Sequence, residues 1–199
     1  MDYKINAIPT RYKNLNFRSR LEAKWAAFFD LLNWKWEYEP CDFNGWIPDF
    51  VLIGECENVF VEVKPVSKFP ENVGEKLVKS GYQYGSKKDA GDEALIVGLT
   101  LIDDYFGGLA LGWLDENGMG WWEPASIGKW YGSESELKNR NLLYGFCHSF
   151  GSYHDRITGC YDGGTTEGDL WWQPSAEYNT NKIIELWKEA GNITQWKKQ

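Results

Sequence analysis

The chain has 199 residues, 43% of them hydrophobic and 25% charged, which are the proportions of a soluble globular protein. No run approaches the roughly 20 apolar residues of a membrane-spanning helix, and MDYKINAIPTRYKN offers no signal-peptide core, so a cytoplasmic, intracellular protein without a membrane partner is expected. The net charge of −8 excludes a uniformly basic nucleic-acid binder, and the spread of Cys41, Cys56, Cys147 and Cys160 fits reduced thiols better than a disulfide frame.

The first predicted element is a helix from Ser19 to about Leu32, where Leu21, Trp25, Phe28 and Leu32 recur on one stripe. WKWEYEP follows as a short strand over about Lys35–Glu39, ended by Pro40. Two more strands are expected at about Asp49–Ile53 and Val59–Lys64, then a helix over about Asn72–Tyr84. ALIVGL, residues 94–99, is a continuous apolar run suited to an interior strand covered on both faces. Helix, three strands, helix, strand make an α/β core within roughly the first 100 residues.

Beyond it the composition changes. GLALGWLDENGMGWWEP reads as a Trp-rich hairpin with Asn117-Gly118 in its turn. GMGWWEPAS (118–126) and GDLWWQPSA (168–176) form a faint internal repeat, and residues 131–170 are the least regular part. NKIIELWKEAGNITQWKK closes the chain as an amphipathic helix interrupted near Gly191. No linker requires two domains, so residues 1–199 are taken as one, with a core over about 15–100 and an extension over about 101–199.

Charge is unevenly placed. Residues 1–24 carry Lys4, Arg11, Lys13, Arg18, Arg20 and Lys24 against Asp2 and Glu22. Residues 64–88 carry Lys64, Lys68, Lys76, Lys79, Lys87 and Lys88 against Glu71 and Glu75. Residues 30–62 between them hold eight acids and only Lys35 as a base. Such an order can fold into a basic rim around an acidic, metal-holding centre, or can simply be solvated surface.

The acidic centre follows from hairpin arithmetic. A four-residue loop at 54–57 sets Ile53 opposite Asn58, Val51 opposite Phe60 and Asp49 opposite Glu62, with Cβ atoms about 4.5–5.5 Å apart. Alternation puts Phe60, Glu62 and Lys64 on one face and Val59, Val61 and Val63 on the other. Two opposed carboxylates repel unless one is protonated or a cation lies between them. Hard carboxylate oxygens suit Mg²⁺ or Mn²⁺, and a neighbouring lysine suits phosphodiester hydrolysis. A cross-strand carboxylate–lysine pair with no catalytic task explains the same spacing.

Pro48-Asp49, followed by Glu62-Val63-Lys64 and preceded by FRSRLEAKWAAFFDLLNWKWEYEP, resembles the PD-(D/E)XK nucleases, in particular small phage and bacterial members. The resemblance implies an αβββαβ restriction-endonuclease-like core, here with the Trp-rich hairpin and a C-terminal helical extension. It implies metal-dependent cleavage of nucleic acid, most often DNA, in a phage or mobile-element setting, and it is compatible with a homo-oligomer. Asp49 and Glu62 would be metal ligands, the Val63 carbonyl a further one, and Lys64 the catalytic lysine. Glu22 would hold a second metal or a metal-bound water, although Ser19-Arg20-Leu21-Glu22 also reads as a capping box. Arg18, Arg20, Lys76, Lys79 and Gln83 are candidate phosphate contacts, the last three on one helical face.

Two further groups of residues stand out in the sequence. Trp121, Trp122, Trp171 and Trp172 suit base stacking or plain packing; adjacent residues of a strand point to opposite faces, so one of each pair at most would meet a ligand. Cys147, His148, His154 and Cys160 match no standard zinc spacing. The alternative to a nuclease is an acidic binding protein on the same scaffold, directed at another protein.

Overall fold

The computed structural model describes residues 7–55, 58–82, 92–105, 107–115, 118–130, 144–148, 155–159, 176–177 and 180–195. Its fold is mixed α/β. A small hairpin of β1 (Thr10–Tyr12) and β2 (Leu15–Phe17) precedes α1 (Arg20–Leu31), β3 (Lys35–Tyr38), β4 (Phe50–Ile53), β5 (Asn58–Val63), α2 (Glu71–Ser80) and β6 (Glu93–Asp103). There follow β7 (Leu109–Asp115), β8 (Trp122–Trp130), β9 (Tyr144–His148), β10 (Ala176–Glu177) and α3 (Thr180–Ile193). One eight-stranded sheet runs β10-β8-β7-β6-β5-β4-β3, with β9 paired to β8. Only β5 and β6, joined through α2, are parallel; the rest of the sheet is antiparallel.

The sheet has an apolar layer on each face because its strands alternate. Phe50, Leu52, Val59, Val61, Val63, Leu95 and Val97 join Trp25, Phe28 and Phe29 of α1 and Ile183 and Trp187 of α3 in one core cluster. Val51, Phe60, Ala94 and Ile96, the alternate positions, join Leu77 of α2, Trp46 and Tyr82 in a second. Fully burying one such side chain is worth about 1.5–3 kcal/mol. The stripe on α1 is wider than its sequence period suggested, since Ala23, Ala26, Ala27 and Phe29 are buried as well.

Several elements depart from their predicted limits for local reasons. Helix α2 ends at Ser80, not near Tyr84, because Gly81 turns left-handed at φ 76° and caps it. Strand β6 continues to Asp103 through a register shift between Val97 and Ile102. Helix α3 runs through Gly191 without interruption, with the stem of Lys24 alongside. Hairpin β1–β2 was not anticipated: Lys13 and Asn14 both take positive φ, the turn usually signalled by Asn-Gly. The expected hairpin after residue 108 exists as β7–β8. Asn117, residues 168–175 of the repeat's second half and most of 131–170 lie outside the described residues.

Candidate functional site

Register comes first. Strands β4 and β5 pair with Ile53 opposite Asn58, Val51 opposite Phe60 and Phe50 opposite Val61, which continues to Asp49 opposite Glu62. The Asp49 side chain turns into the hairpin, and its Oδ2 accepts from the Val63 N–H at 2.7 Å. Glu62 is steadied from the α2 side, where Trp46 Nε1 donates to its Oε2 at 2.8 Å. Each carboxylate therefore has one oxygen fixed by a neutral interior donor. The other oxygen faces a cation: Arg18 Nη2 on Asp49 Oδ1, and Lys64 Nζ on Glu62 Oε1.

Both carboxylates are buried, Asp49 to 3% exposure and Glu62 to 7%. Burial, with Glu62 and then Glu22 adding to it, pushes Asp49 up to about 7, while the Val63 N–H and Lys64 pull the other way. Lys64 follows β5 directly, and its N–H donates to the Val97 carbonyl at 2.9 Å. Its side chain keeps about a third of its surface in solvent. The lysine is thus fixed at its backbone and ion-paired with Glu62 at its ammonium end.

Glu22 is buried at the start of α1. Ser19 caps that helix, its Oγ accepting from the Glu22 N–H at 3.1 Å. The reciprocal half of the predicted capping box is altered: Glu22 Oε2 accepts from the Arg18 N–H at 3.2 Å, and Oε1 from the Ser19 hydroxyl at 2.8 Å. Tyr38, across on β3, donates to Glu22 Oε2 at 2.7 Å. Burial and that bond push the Tyr38 hydroxyl up and keep it a donor. With both oxygens engaged, Glu22 meets Asp49 through Arg18, whose Nε lies 3.8 Å from Glu22 and 3.2 Å from Glu39.

Among the described residues no group of three or more His, Cys, Asp or Glu side chains is gathered closely enough to hold a metal. What fits a hard divalent cation is the pair Asp49 and Glu62, each with one oxygen oriented by an internal hydrogen bond, as supporting donors orient metal ligands. Val63 enters the site through its N–H. Cys147 and His148 are buried on β9, and the other two members of that candidate zinc group, His154 and Cys160, lie outside the described residues.

No family model, curated protein or solved structure matches this chain.

The candidate phosphate contacts scatter. Arg18 turns onto the carboxylates; Arg20 is exposed beside Lys24 at the α1–α3 junction. Lys76 is exposed on α2, Lys79 is exposed and 3.4 Å from Glu75, and Gln83 lies outside the described residues. Trp121 and Trp122 do split, the first exposed and the second packed on Phe69 with ring centroids 5.6 Å apart; Trp171 and Trp172 are not among the described residues. Sequence reasoning missed Trp46 and Tyr38 as anchors of the two glutamates. Trp46 is three residues before Asp49, but neither spacing signals a contact that exists only across strands.

Proposed function

We propose that this protein is a Mg²⁺- or Mn²⁺-dependent nuclease of the PD-(D/E)XK kind that hydrolyses phosphodiester bonds in DNA. The observation that carries the reading is the convergence of Asp49 and Glu62 from neighbouring strands, each with one oxygen held from inside and one turned toward a cation. The order α1-β3-β4-β5-α2-β6 supports it, being that of an αβββαβ core. Asp49 Oδ1, Glu62 Oε1 and the Val63 carbonyl would hold the metal, which when bound would acidify a water and offset charge on the attacked phosphate. Lys64, anchored by its backbone and part-exposed, orients the attacking water or holds positive charge against the phosphate oxygens. Tyr38 and Ser19 keep Glu22 aimed at the Arg18 side of the cluster, where it can take a metal-bound water.

Purified protein incubated with DNA and Mg²⁺ is expected to cleave it, and Asp49→Ala and Lys64→Ala each to remove the activity. Cleavage that persists in both variants would place the chemistry elsewhere.

A second reading is a binding protein on the same scaffold. It is favoured by the closure of both carboxylates by the chain's own Arg18 and Lys64. Calorimetric titration with Mn²⁺ separates the two, because a pure binding protein need have no saturable site that depends on Asp49.

A further inference from the structure

The two oxygens of Glu62 have different surroundings. Oε1 faces the Lys64 ammonium, which is partly in solvent. Oε2 accepts from Trp46 Nε1 at 2.8 Å, on the side of the second apolar cluster, to which Trp46 belongs. Trp46 is 2% exposed, and an indole only donates. The partner of Oε2 is therefore neutral and adds no charge that would repel a cation at Oε1.

That indole is not free to swing. The Phe43 N–H donates to the Trp46 carbonyl at 2.7 Å, and the Trp46 N–H to the Phe43 carbonyl at 3.0 Å. Between them Asn44 at φ 48° and Gly45 at φ 90° make the paired positive-φ turn that Asn-Gly favours. The turn is tied outward as well: Asn44 Nδ2 donates to the Ser80 carbonyl at the end of α2, at 3.1 Å. Tyr82 and Phe60 meet the indole edge-on, with ring centroids 5.6 and 6.4 Å away. Glu62 is thus held by a donor that is itself fixed through backbone and rings.

Asp49 repeats the pattern, its Oδ2 accepting from the Val63 N–H at 2.7 Å while Oδ1 meets Arg18. Each carboxylate presents one oxygen, and that decides between ions. Ca²⁺ takes about six to eight oxygens at about 2.3–2.6 Å and often both oxygens of one carboxylate. Mg²⁺ demands an octahedron at about 2.0–2.1 Å, keeps several waters and uses one or two carboxylates. For Ca²⁺ to chelate Glu62, Oε2 has to leave Trp46 and strand a buried indole N–H. A small ion at Oε1 leaves that bond intact.

We propose that Trp46 sets the ion preference of the Asp49–Glu62 site: by tying Glu62 Oε2 it makes the glutamate a one-oxygen ligand and favours Mg²⁺ or Mn²⁺ over Ca²⁺. The proposal rests on the metal-dependent reading of that site and adds its selectivity. Trp46 is a positioning residue that acts through Glu62.

Calorimetric titration of the full chain with Mn²⁺ and with Ca²⁺ is the test. Wild-type protein is expected to bind Mn²⁺ several-fold tighter than Ca²⁺. Trp46→Phe keeps an aromatic ring without the donor. It should weaken Mn²⁺ by about tenfold or more, the usual cost of losing the partner behind a metal ligand, and weaken Ca²⁺ less, so that the affinity ratio falls. Should a urea midpoint show that this variant has lost its fold, wild-type protein carrying ¹⁵N-tryptophan still decides. The indole signal that Glu62→Gln displaces identifies Trp46, and Mg²⁺ should move it at concentrations where Ca²⁺ does not. Equal wild-type affinity for the two ions, an indole signal that answers both alike, or a folded Trp46→Phe with an unchanged ratio overturns the assignment, even where DNA cleavage depends on Asp49 and Lys64. A ratio that falls in Trp46→Phe while no DNA is cleaved keeps the assignment and removes the nuclease. No Asp49-dependent binding of either ion overturns both.

Discussion

Asp49 is held in a state that disfavours its own charge. An aspartate titrates ordinarily at 3.8, and burial beside Glu62 moves this one up to about 7. The folded chain therefore binds the Asp49 proton more tightly than the unfolded chain does. Stability contributed by that proton is complete below about pH 4 and is lost as pH rises toward 7. Asp155, raised to about 6 by burial, acts in the same direction, so the informative quantity is the difference from a variant. Asp49→Asn keeps an acceptor for the Val63 N–H and is expected to raise stability at pH 7.5 by on the order of 2 kcal/mol while flattening its pH dependence. Thermal melts from pH 4.5 to 8 check this; a destabilised variant would mean that the Arg18 contact outweighs the burial. Arg18 gives a second prediction. Its side chain is 58% exposed, so losing it removes little packing, yet it covers the Asp49 oxygen proposed to meet a divalent ion. Arg18→Gln should therefore tighten Mn²⁺ binding several-fold in calorimetry, whereas a mere structural clamp would leave affinity unchanged or weaker. Little of this was legible in the sequence. The spacing of Asp49, Glu62 and Lys64 pointed to one face, but partners that fix them come from Arg18 before α1, Trp46 in the loop before β4 and Val97 on β6.

At the level of elements, the segment after β5 is fastened to β6. Lys64 N–H donates to Val97 O, and Leu99 N–H to Val66 O, both at 2.9 Å; Trp25 Nε1 bonds Gly98 O from the other face, also at 2.9 Å. A Cβ on Gly98 would lie 2.4 Å from the Val66 carbonyl oxygen, a backbone atom that cannot swing aside. Gly98→Ala should cost about 1–3 kcal/mol, as forced overpacking does, and should lower cleavage beyond what the stability loss explains, because Lys64 is displaced with the segment. Denaturant midpoints and turnover measured on the same preparation check both parts. Elements of strong period were readable, which is why α1, β4, β5 and the core of β6 fall near their predicted positions. Hairpin β1–β2 was not, since Tyr-Lys-Asn carries no glycine to announce positive φ. The end of α2 and the continuity of α3 were misjudged for one reason: a glycine in sequence does not say which way it turns, and Gly81 takes a left-handed φ of 76° that ends α2 whereas Gly191 keeps the helical path.

For the whole molecule, the relevant quantity is the net charge of −8, which opposes approach of any polyanion at long range. At 0.15 M salt that repulsion is screened beyond about 8 Å, so contact is decided by the exposed cations that a strand meets. Lys68, just before α2, and Lys76 and Lys79 on it are exposed, with Lys79 3.4 Å from Glu75. For single strands each neutralised phosphate contributes about −0.7 to the slope of log affinity against log salt, so about three contacts predict a slope near −2. Anisotropy with (dC)₁₂ from 50 to 200 mM salt measures it. A slope near zero would remove phosphate from the interface and favour the acidic binding protein. One much steeper than −2 would bring in cations from the N-terminal basic stretch, Arg20 and Lys24 among them, and extend the strand's path around α1.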